Sequence, residues 1–283
     1  YEIRLSLVGS EMCIRDRLTA KKHFCKEKTP MKKHSIALLL LLVLLTGCGA
    51  KTEEAPWQTA YRETGKYLQE QDALSAGSVG GEWAVIGLSR AGLLSDETAQ
   101  SYEQTVEDYV KQAGSVRLHH AKSTENSRAI LGLTAAGYNA ANMAGVDLTA
   151  GLTDMAYLRA QGTNGPIWAL IALDCHGYDI PQCADGEEQT TCEGLVAEIL
   201  SYQCSDGGWA LMGDESDVDM TAMAIQALAP YYENAQVKAA VDAALTFLAG
   251  VQNADGTFSE IPGTDASAES TAQVIVALTA LGI

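Results

Sequence analysis

Basic side chains are scarce in this sequence. It has 19 Lys and Arg against 36 Asp and Glu over 283 residues, and nine of those 19 precede Cys48. From Cys48 onward, 10 basic side chains stand against 32 acidic ones, which gives a formal charge of -22. A surface of that charge repels phosphate backbones and anionic lipid heads. We therefore expect no nucleic-acid partner.

The signatures of several common sites are also missing. No P-loop, Ser-His-Asp order or calcium-loop pattern stands out. The four cysteines after Cys48 are not spaced C-x-x-C, which argues against a zinc site. Convincing strand alternation is absent as well. We therefore expect an all-α chain with no metal site, and no cofactor can be named with certainty.

The N-terminal part looks like an export signal followed by a lipid attachment site. Residues 31–50 spell MKKHSIALLLLLVLLTGCGA, and the apolar run at 36–45 is too short to span a membrane comfortably. The order of basic, apolar and small residues is typical of a secretory signal. Residues 45–48, LTGC, resemble the lipobox of bacterial lipoproteins. The resemblance implies that Cys48 becomes the lipid-modified N-terminus.

This interpretation divides the chain into four parts. Residues 1–30 precede a complete signal peptide and are taken as a non-native leader, while residues 31–47 form the signal peptide itself. Residues 48–56 form a short tether, and residues 57–283 form the folded domain. The membrane is then a partner through the lipid on Cys48. The expected location is extracytoplasmic, anchored to the bacterial cell membrane.

The folded domain is built from a repeat. Five apolar segments align on leucines separated by 45, 40, 55 and 50 residues, a period typical of helical-hairpin repeats. These anchor leucines are Leu88, Leu133, Leu173, Leu228 and Leu278. A glycine that predicts a left-handed helix cap follows four residues after each anchor except the fourth, where Tyr232 stands. Each anchor helix is preceded by another amphipathic segment, at 57–71, 97–112, 149–161, 190–203 and 235–251.

The anchor helices have two different faces. At 100° per residue, the positions three and four before each anchor share its face and are always apolar, which predicts the core. The positions two, five and nine before the anchor lie on the opposite face and are chemically mixed. We interpret that face as a lumen, because ordinary solvent-facing surface rarely carries two Trp and a Met at equivalent places. Its candidate ligand-binding residues are Trp83, Arg128, Asn164, Trp168, Asp219, Met223, Gln226, Glu269 and Gln273.

Two turns carry a family resemblance. QCSDGGW at 203–209 and FLAGVQNADGTF at 247–258 resemble the QW-type repeat of terpene cyclases and protein prenyltransferases, with Phe258 in place of the second Trp. The Gln is suited to bridge backbone groups at the helix end, the Gly supplies positive φ, and the aromatic ring plugs the next repeat. The resemblance implies an α/α toroid of helical hairpins. Such toroids usually have six pairs, and five are counted here, so we expect the ring to be incomplete at the C-terminus.

The segment 217–221, DVDMT, resembles the Asp-x-Asp-Asp-Thr motif of class II terpene cyclases. The resemblance assigns the general acid to Asp219, although Met220 replaces the second adjacent Asp and the chain has few aromatic residues for a cation-stabilising cavity. A structural interpretation is helix capping, by Ser216 with Asp219 reaching back to it, or by Asp217, which lies off the lumen face.

The same segment also resembles the α-barrel of the transcobalamin and intrinsic factor family. There a comparable run opens an inner helix, and the barrel binds cobalamin together with a C-terminal β-domain. No such β-domain is evident here, so the resemblance implies a corrinoid only as one possible ligand.

Four cysteines remain in the exported part: Cys175, Cys183, Cys192 and Cys204. An extracellular location favours disulfides, and free buried thiols are the equally weighted alternative. Cys192 and Cys204 are expected on one helix about 18 Å apart, which is too far for a bridge. Two complete pairings stay open, 175 with 192 plus 183 with 204, or 175 with 204 plus 183 with 192.

Three functions follow from these patterns. The first is a surface lipoprotein whose toroid is a non-catalytic binding module for a corrinoid or another small molecule. The second is a terpene-cyclase-like enzyme that uses Asp219 as its acid, and the third is a structural or adhesive surface module.

Overall fold

The computed structural model describes residues 55–71, 74–77 and 80–283. The chain divides into two units, residues 1–60 and residues 61–283. Of the first unit only residues 55–60 are described, and they include the first turn of the first helix. The leader at 1–30, the signal peptide at 31–47 and Cys48 lie outside the described residues.

The described residues form ten α-helices and three short 3₁₀ segments, with no β-strand among them, so the all-α prediction is confirmed. The 3₁₀ segments are Ala140–Asn142, Leu148–Leu152 and Ala229–Tyr231. The helices, numbered in chain order, are α1 (Pro56–Gln69), α2 (Gly81–Arg90), α3 (Asp96–Ala113), α4 (Thr124–Ala135), α5 (Met155–Arg159), α6 (Asn164–Asp174), α7 (Cys192–Ser201), α8 (Val218–Leu228), α9 (Ala235–Val251) and α10 (Ala268–Leu281).

The even-numbered helices form a continuous row. α2 packs on α4, α4 on α6, α6 on α8, and α8 on α10. All five anchor leucines lie on these helices and are buried, as are the residues three before them on the first four helices, so the predicted core face is confirmed there. On α10 the prediction is wrong at Ile275, which is 52 % exposed. The positions four before the anchors are Ala in the first four helices and Val274 in α10, and all are buried. The small alanine side chains let neighbouring helices approach closely.

The even-numbered helices also end as predicted. Gly92, Gly137, Gly177 and Gly282 all have positive φ, between 65° and 90°. A left-handed residue there ends the helix and lets backbone N–H groups reach back to its last carbonyls. The fourth repeat has no such glycine, and α8 instead continues into the 3₁₀ segment Ala229–Tyr231.

One predicted helix is divided. The segment 149–161 was expected to be a single helix, but it consists of a 3₁₀ turn and the five-residue α5. The Thr153 carbonyl accepts a hydrogen bond from Thr190 N–H, and Met155 N–H donates to the Glu188 carbonyl. Because residues 188–190 occupy the Thr153 carbonyl and the Met155 N–H, these two groups cannot form the hydrogen bonds of a continuous helix. The other odd-numbered helices follow their predicted segments within a few residues, as helix boundaries allow.

Candidate functional site

The Gln-Gly-Trp turn joins one hairpin to the next through side-chain-to-backbone hydrogen bonds. Gln203 Nε2 donates to the carbonyls of Gly207 and Ala240, both at 2.8 Å. The fully buried Trp209 ring donates from Nε1 to the Ile199 carbonyl at 2.7 Å. Gly207 has φ 93°. The positive φ predicted for the glycine is therefore confirmed at this turn, whereas Gln203 bonds to the turn and to α9 rather than to the end of a helix.

A second position that the sequence analysis did not single out supports the same turns. It lies seven residues before the anchor leucine. Thr221 Oγ1 accepts from Trp209 N–H at 2.9 Å, and Thr271 Oγ1 accepts from Phe258 N–H at 3.0 Å. On α4 the equivalent Asn126 accepts from Leu118 N–H at 2.9 Å. A short polar side chain on this otherwise apolar face of the helix was the available signal, because a buried polar side chain needs a partner.

The lumen face brings together two of the predicted residues. The rings of Trp83 on α2 and Trp168 on α6 lie 5.2 Å apart between centroids, tilted by 57°. Both helices pack on α4, which lies between them. Their side chains therefore meet across α4, on the face that the pattern assigns to the lumen. Trp83 is 40 % exposed, which leaves a large aromatic surface open to solvent.

An ion pair lies on α4 at the same level. Arg128 occupies the position on α4 that Trp83 and Trp168 occupy on their own helices, five before the anchor. Its guanidinium donates to Glu125 Oε2 at 2.6 Å, and both side chains are largely buried. Tyr109 of α3 donates to the same carboxylate at 3.4 Å, and burial followed by the Glu125 charge raises the pKa of that phenol. Arg128 is therefore already neutralised by a protein carboxylate.

Buried polar atoms without hydrogen-bond partners lie behind this face. Glu82 of α2 is 1 % exposed, and its Oε1 accepts from Gly77 N–H at 2.6 Å while Oε2 has no partner. The Tyr102 hydroxyl and Ser127 Oγ are also buried and unpartnered. Burial raises the pKa of Glu82, against the lowering effects of the Gly77 N–H and the Arg128 charge. The Glu82 carboxyl therefore holds its proton more tightly than an exposed glutamate does.

The acidic segment before α8 has a different arrangement from the one expected. Asp217 is the N-cap, and its Oδ1 accepts from Met220 N–H at 2.7 Å, so capping by Asp217 is confirmed. Capping by Ser216 is wrong, because Ser216 Oγ donates to Asp206 Oδ1 at 2.5 Å. Asp219 does not reach back, since its buried Oδ1 has no hydrogen-bond partner. Burial raises the pKa of Asp217, and the Asp219 charge adds to that effect.

The other candidate ligand-binding residues are less closely connected. Within the described chain, no hydrogen bond joins any of them to the Trp83–Trp168 pair. Four are partly buried, whereas the fifth is exposed and hydrogen-bonds only to Ser267 Oγ, at 3.2 Å. The four are Asn164, Met223, Gln226 and Gln273, and the fifth is Glu269.

The four described cysteines are free thiols and partly buried. Neither predicted disulfide pairing is present. Cys192 begins α7, but α7 ends at Ser201, so the expectation that Cys204 shares that helix is wrong. The Gly208 carbonyl accepts a hydrogen bond from Cys204 N–H, which places Cys204 in the turn instead. Burial raises the pKa of the Cys175 and Cys192 thiols, which disfavours reactive thiolates at these positions.

The described residues contain no group of three or more His, Cys, Asp or Glu side chains able to hold a metal ion. They also contain no helix that is both long and apolar enough to cross a membrane. Two open grooves are present, one of about 550 Å³ between α7 and α9 and one of about 410 Å³ along α10. Comparisons with protein-family models, curated proteins and solved structures found no match to this chain.

Proposed function

We propose that this chain is a bacterial surface lipoprotein whose helical hairpins form part of an α/α toroid, and that the toroid is a non-catalytic binding module for a small molecule. The observation that carries the proposal is the Trp83–Trp168 pair, whose rings meet across α4. Two large aromatic side chains that meet across a third helix, with one of them open to solvent, provide an apolar surface of the kind found in ligand sites. The row of even-numbered helices supports the toroid as its inner layer.

The electrostatics of the site restrict the ligand. Arg128 is paired with Glu125, so it is not available as a free counter-ion for an anion. The surrounding surface is strongly acidic and disfavours anionic molecules in general. The ligand that fits is therefore neutral or cationic, with a flat apolar part that stacks on the indole rings. A corrinoid has a macrocycle of that shape and is one member of this class.

Intrinsic fluorescence and calorimetry with the intact protein test the proposal. We expect saturable binding of at least one member of a panel of corrinoids and other planar metabolites, with a change in tryptophan emission. Trp168→Leu should weaken that binding by about 10-fold or more, because a large aromatic anchor is removed. Trp57→Leu is the matched control, since Trp57 is 45 % exposed and is not one of the two paired indoles. Equal affinity in the two variants would count against the Trp pair as the site.

A second function is supported by a separate observation. Asp219 has a buried carboxylate oxygen with no hydrogen-bond partner, next in the chain to the cap residue Asp217 and its raised pKa. An unpaired carboxyl near a second one is a feature of general-acid sites. The enzyme would be terpene-cyclase-like, with Asp219 as the proton donor. Turnover of polyprenyl substrates that disappears in Asp219→Asn would favour it, and the absence of both binding and turnover would favour a structural or adhesive module.

A further inference from the structure

The Trp83–Trp168 pair differs from an ordinary contact between aromatic rings in a core. In a core both rings are enclosed, whereas Trp83 is 40 % exposed and Trp168 is only partly buried. The two indoles are tilted by 57° and do not stack face to face, so neither ring fully covers the other. The face of an indole carries negative electrostatic potential and attracts cations. The pair is therefore an electron-rich surface as well as an apolar one.

Aliphatic side chains extend this surface along the same three helices. The positions two before the anchors belong to the face that the pattern assigns to the lumen, as the indoles do. On α2, α4 and α6 these positions hold Ile86, Leu131 and Ile171, all partly buried. A ligand on the indoles exchanges part of its hydration for contacts with such side chains. Attraction between a cation and an aromatic face is stronger where water is excluded.

The fixed charges of the row favour a positively charged ligand. The even-numbered helices carry five acidic side chains and two basic ones, Arg90 and Arg128. Arg128 is neutralised by Glu125 at 2.6 Å, and Arg90 lies seven residues beyond Trp83, about 10 Å further along α2. The charge of -22 from Cys48 onward raises the local concentration of cations. Among the described residues of these helices, no uncompensated basic side chain therefore lies next to the indoles.

Hydration distinguishes between kinds of cation. A metal ion or a primary ammonium is strongly hydrated and needs oxygen ligands that replace its water. The described residues hold no group of side chains suited to a metal ion, and the Glu125 carboxylate already accepts hydrogen bonds from Arg128 and Tyr109. An alkylated ring nitrogen spreads its charge over apolar atoms and is only weakly hydrated. Indole faces are sufficient to bind a cation of that kind.

We propose that the ligand of the Trp83–Trp168 pair is a flat organic cation whose charge lies on an alkylated nitrogen, and that the indole faces bind this charge without a carboxylate. The inference rests on the binding function proposed above, because it concerns the same site. It narrows the ligand from neutral or cationic molecules to cationic ones. The ring of the ligand covers the open face of Trp83, so both its shape and its charge contribute to binding.

Three ring compounds of similar size and different charge test this proposal on the intact chain. They are 1-methylnicotinamide, a cation, nicotinamide, which is neutral, and nicotinate, an anion. Calorimetry and tryptophan fluorescence at neutral pH should give affinities in that order, with the cation bound about 5-fold or more tighter than nicotinamide. Raising the salt concentration from about 0.05 M to about 0.5 M should reduce this preference, because salt screens the acidic surface.

Two substitutions of Trp83 separate the aromatic face from apolar contact in general. Trp83→Phe keeps an aromatic face, whereas Trp83→Leu keeps only an apolar side chain. The preference for the cation over nicotinamide should be retained in part in Trp83→Phe and lost in Trp83→Leu. Trp57→Leu is the control and should keep the wild-type preference, since Trp57 is an exposed tryptophan outside the pair. Circular dichroism checks that each variant is folded, and the comparison of the three compounds on the wild type needs no variant.

The outcomes separate this proposal from the binding function on which it rests. Equal affinities for 1-methylnicotinamide and nicotinamide overturn the proposal and leave a binding site that selects by shape. Tighter binding of nicotinate overturns it as well, because Arg128 then attracts the negative charge. A preference that survives in Trp83→Leu assigns the selection to the acidic surface and not to the indoles. If a corrinoid binds and none of the three compounds does, only the organic cation is excluded, whereas failure of every planar compound removes both.

Discussion

The first three helices of the row, α2, α4 and α6, differ from the last two, α8 and α10, in what their lumen face carries. In the first region two tryptophans meet over an ion pair, and a protonation-prone glutamate is buried behind them. In the second region the equivalent positions hold Met223 and Gln273, and two acidic side chains stand near the helix starts. The hairpin frame and the turn hydrogen bonds are shared by both regions.

This difference separates structural positions from functional ones. The position seven before the anchor carries a side chain that accepts a hydrogen bond from the preceding turn on α4, α8 and α10. The position five before it carries Trp, Arg, Trp, Met and Gln without any common structural partner. Because the helical frame requires no particular residue at this position, the position is free to carry ligand-binding side chains. The Trp83–Trp168 side of the first region is therefore the better place to look for a ligand. The second region mainly shows how the frame is held.

The largest expected effect tests whether the two Gln-Gly-aromatic turns are equivalent. Trp209→Ala should destabilise the protein by about 3–5 kcal/mol, because it removes a fully buried ring. Phe258→Ala should cost less, since Phe258 lies beside the uncovered α10 and has no ring N–H bond. Urea unfolding followed by circular dichroism measures both. Equal losses would mean that the last turn is as firmly packed as the one before it.

The next effect compares the hydrogen bonds that hold the turns. Asn126 makes three, accepting from Leu118 N–H and donating to the carbonyls of Val116 and Leu148. Asn126→Ala should cost about 2–3 kcal/mol, because buried backbone groups lose their partners. Thr271→Val removes the bond from Phe258 N–H and the one that Thr271 Oγ1 donates to the Ser267 carbonyl. Because that carbonyl still accepts from Thr271 N–H, the cost should be only about 1 kcal/mol. The same unfolding measurement decides the order, and a larger loss for Thr271→Val would reverse this assignment.

Much of the frame could be predicted from the sequence, since it depends on local patterns. The period of the anchor leucines located the even-numbered helices, and the glycines after them located their ends. That Trp83 and Trp168 lie on the same face of the row followed from helical geometry alone. Local patterns succeed here because a helix face and a left-handed cap are decided within a few residues.

The parts that could not be predicted depend on contacts between distant segments. The division of 149–161 depends on residues 188–190 taking its backbone groups. The hydrogen bond of Ser216 goes to Asp206, ten residues away, which no capping rule anticipates. The sequence gives one weak indication that Glu82 is a buried carboxyl. The equivalent positions on later helices hold the apolar residues Ile167, Ala222 and Ala272. The unpartnered oxygen of Glu82 depends on how α2, α3 and α4 pack together.

A smaller effect separates the two aspartates at the start of α8. Asp217→Ala removes the N-cap and should cost about 1 kcal/mol. Asp219→Asn keeps the size of the side chain and breaks no hydrogen bond of Oδ1, so its stability should stay within about 0.5 kcal/mol of the wild type. Thermal unfolding at neutral pH measures both. If Asp219→Asn destabilised the protein as much as Asp217→Ala, the capping role would belong to both residues.

The smallest effect depends on pH and tests whether Glu82 makes the first region different. Burial raises the pKa of Glu82 in the folded protein above its unfolded value, so the folded state keeps a proton that the unfolded state has lost. Stability should therefore fall as pH rises from the ordinary glutamate pKa through the raised one, and remain lower above it. Glu82→Gln removes this loss, because an amide can still accept from Gly77 N–H and carries no charge.

We expect the melting temperature of Glu82→Gln to exceed that of the wild type by about 2 °C at pH 8 and to match it at pH 4. The control is Glu269→Gln on the exposed start of α10, which should show no such dependence on pH. A difference that is the same at both pH values would mean that the Gly77 N–H and the Arg128 charge compensate the Glu82 carboxylate in the folded state. Ionisation of the buried Glu82 would then cost the folded protein no more stability than ionisation of an exposed acidic residue in the second region.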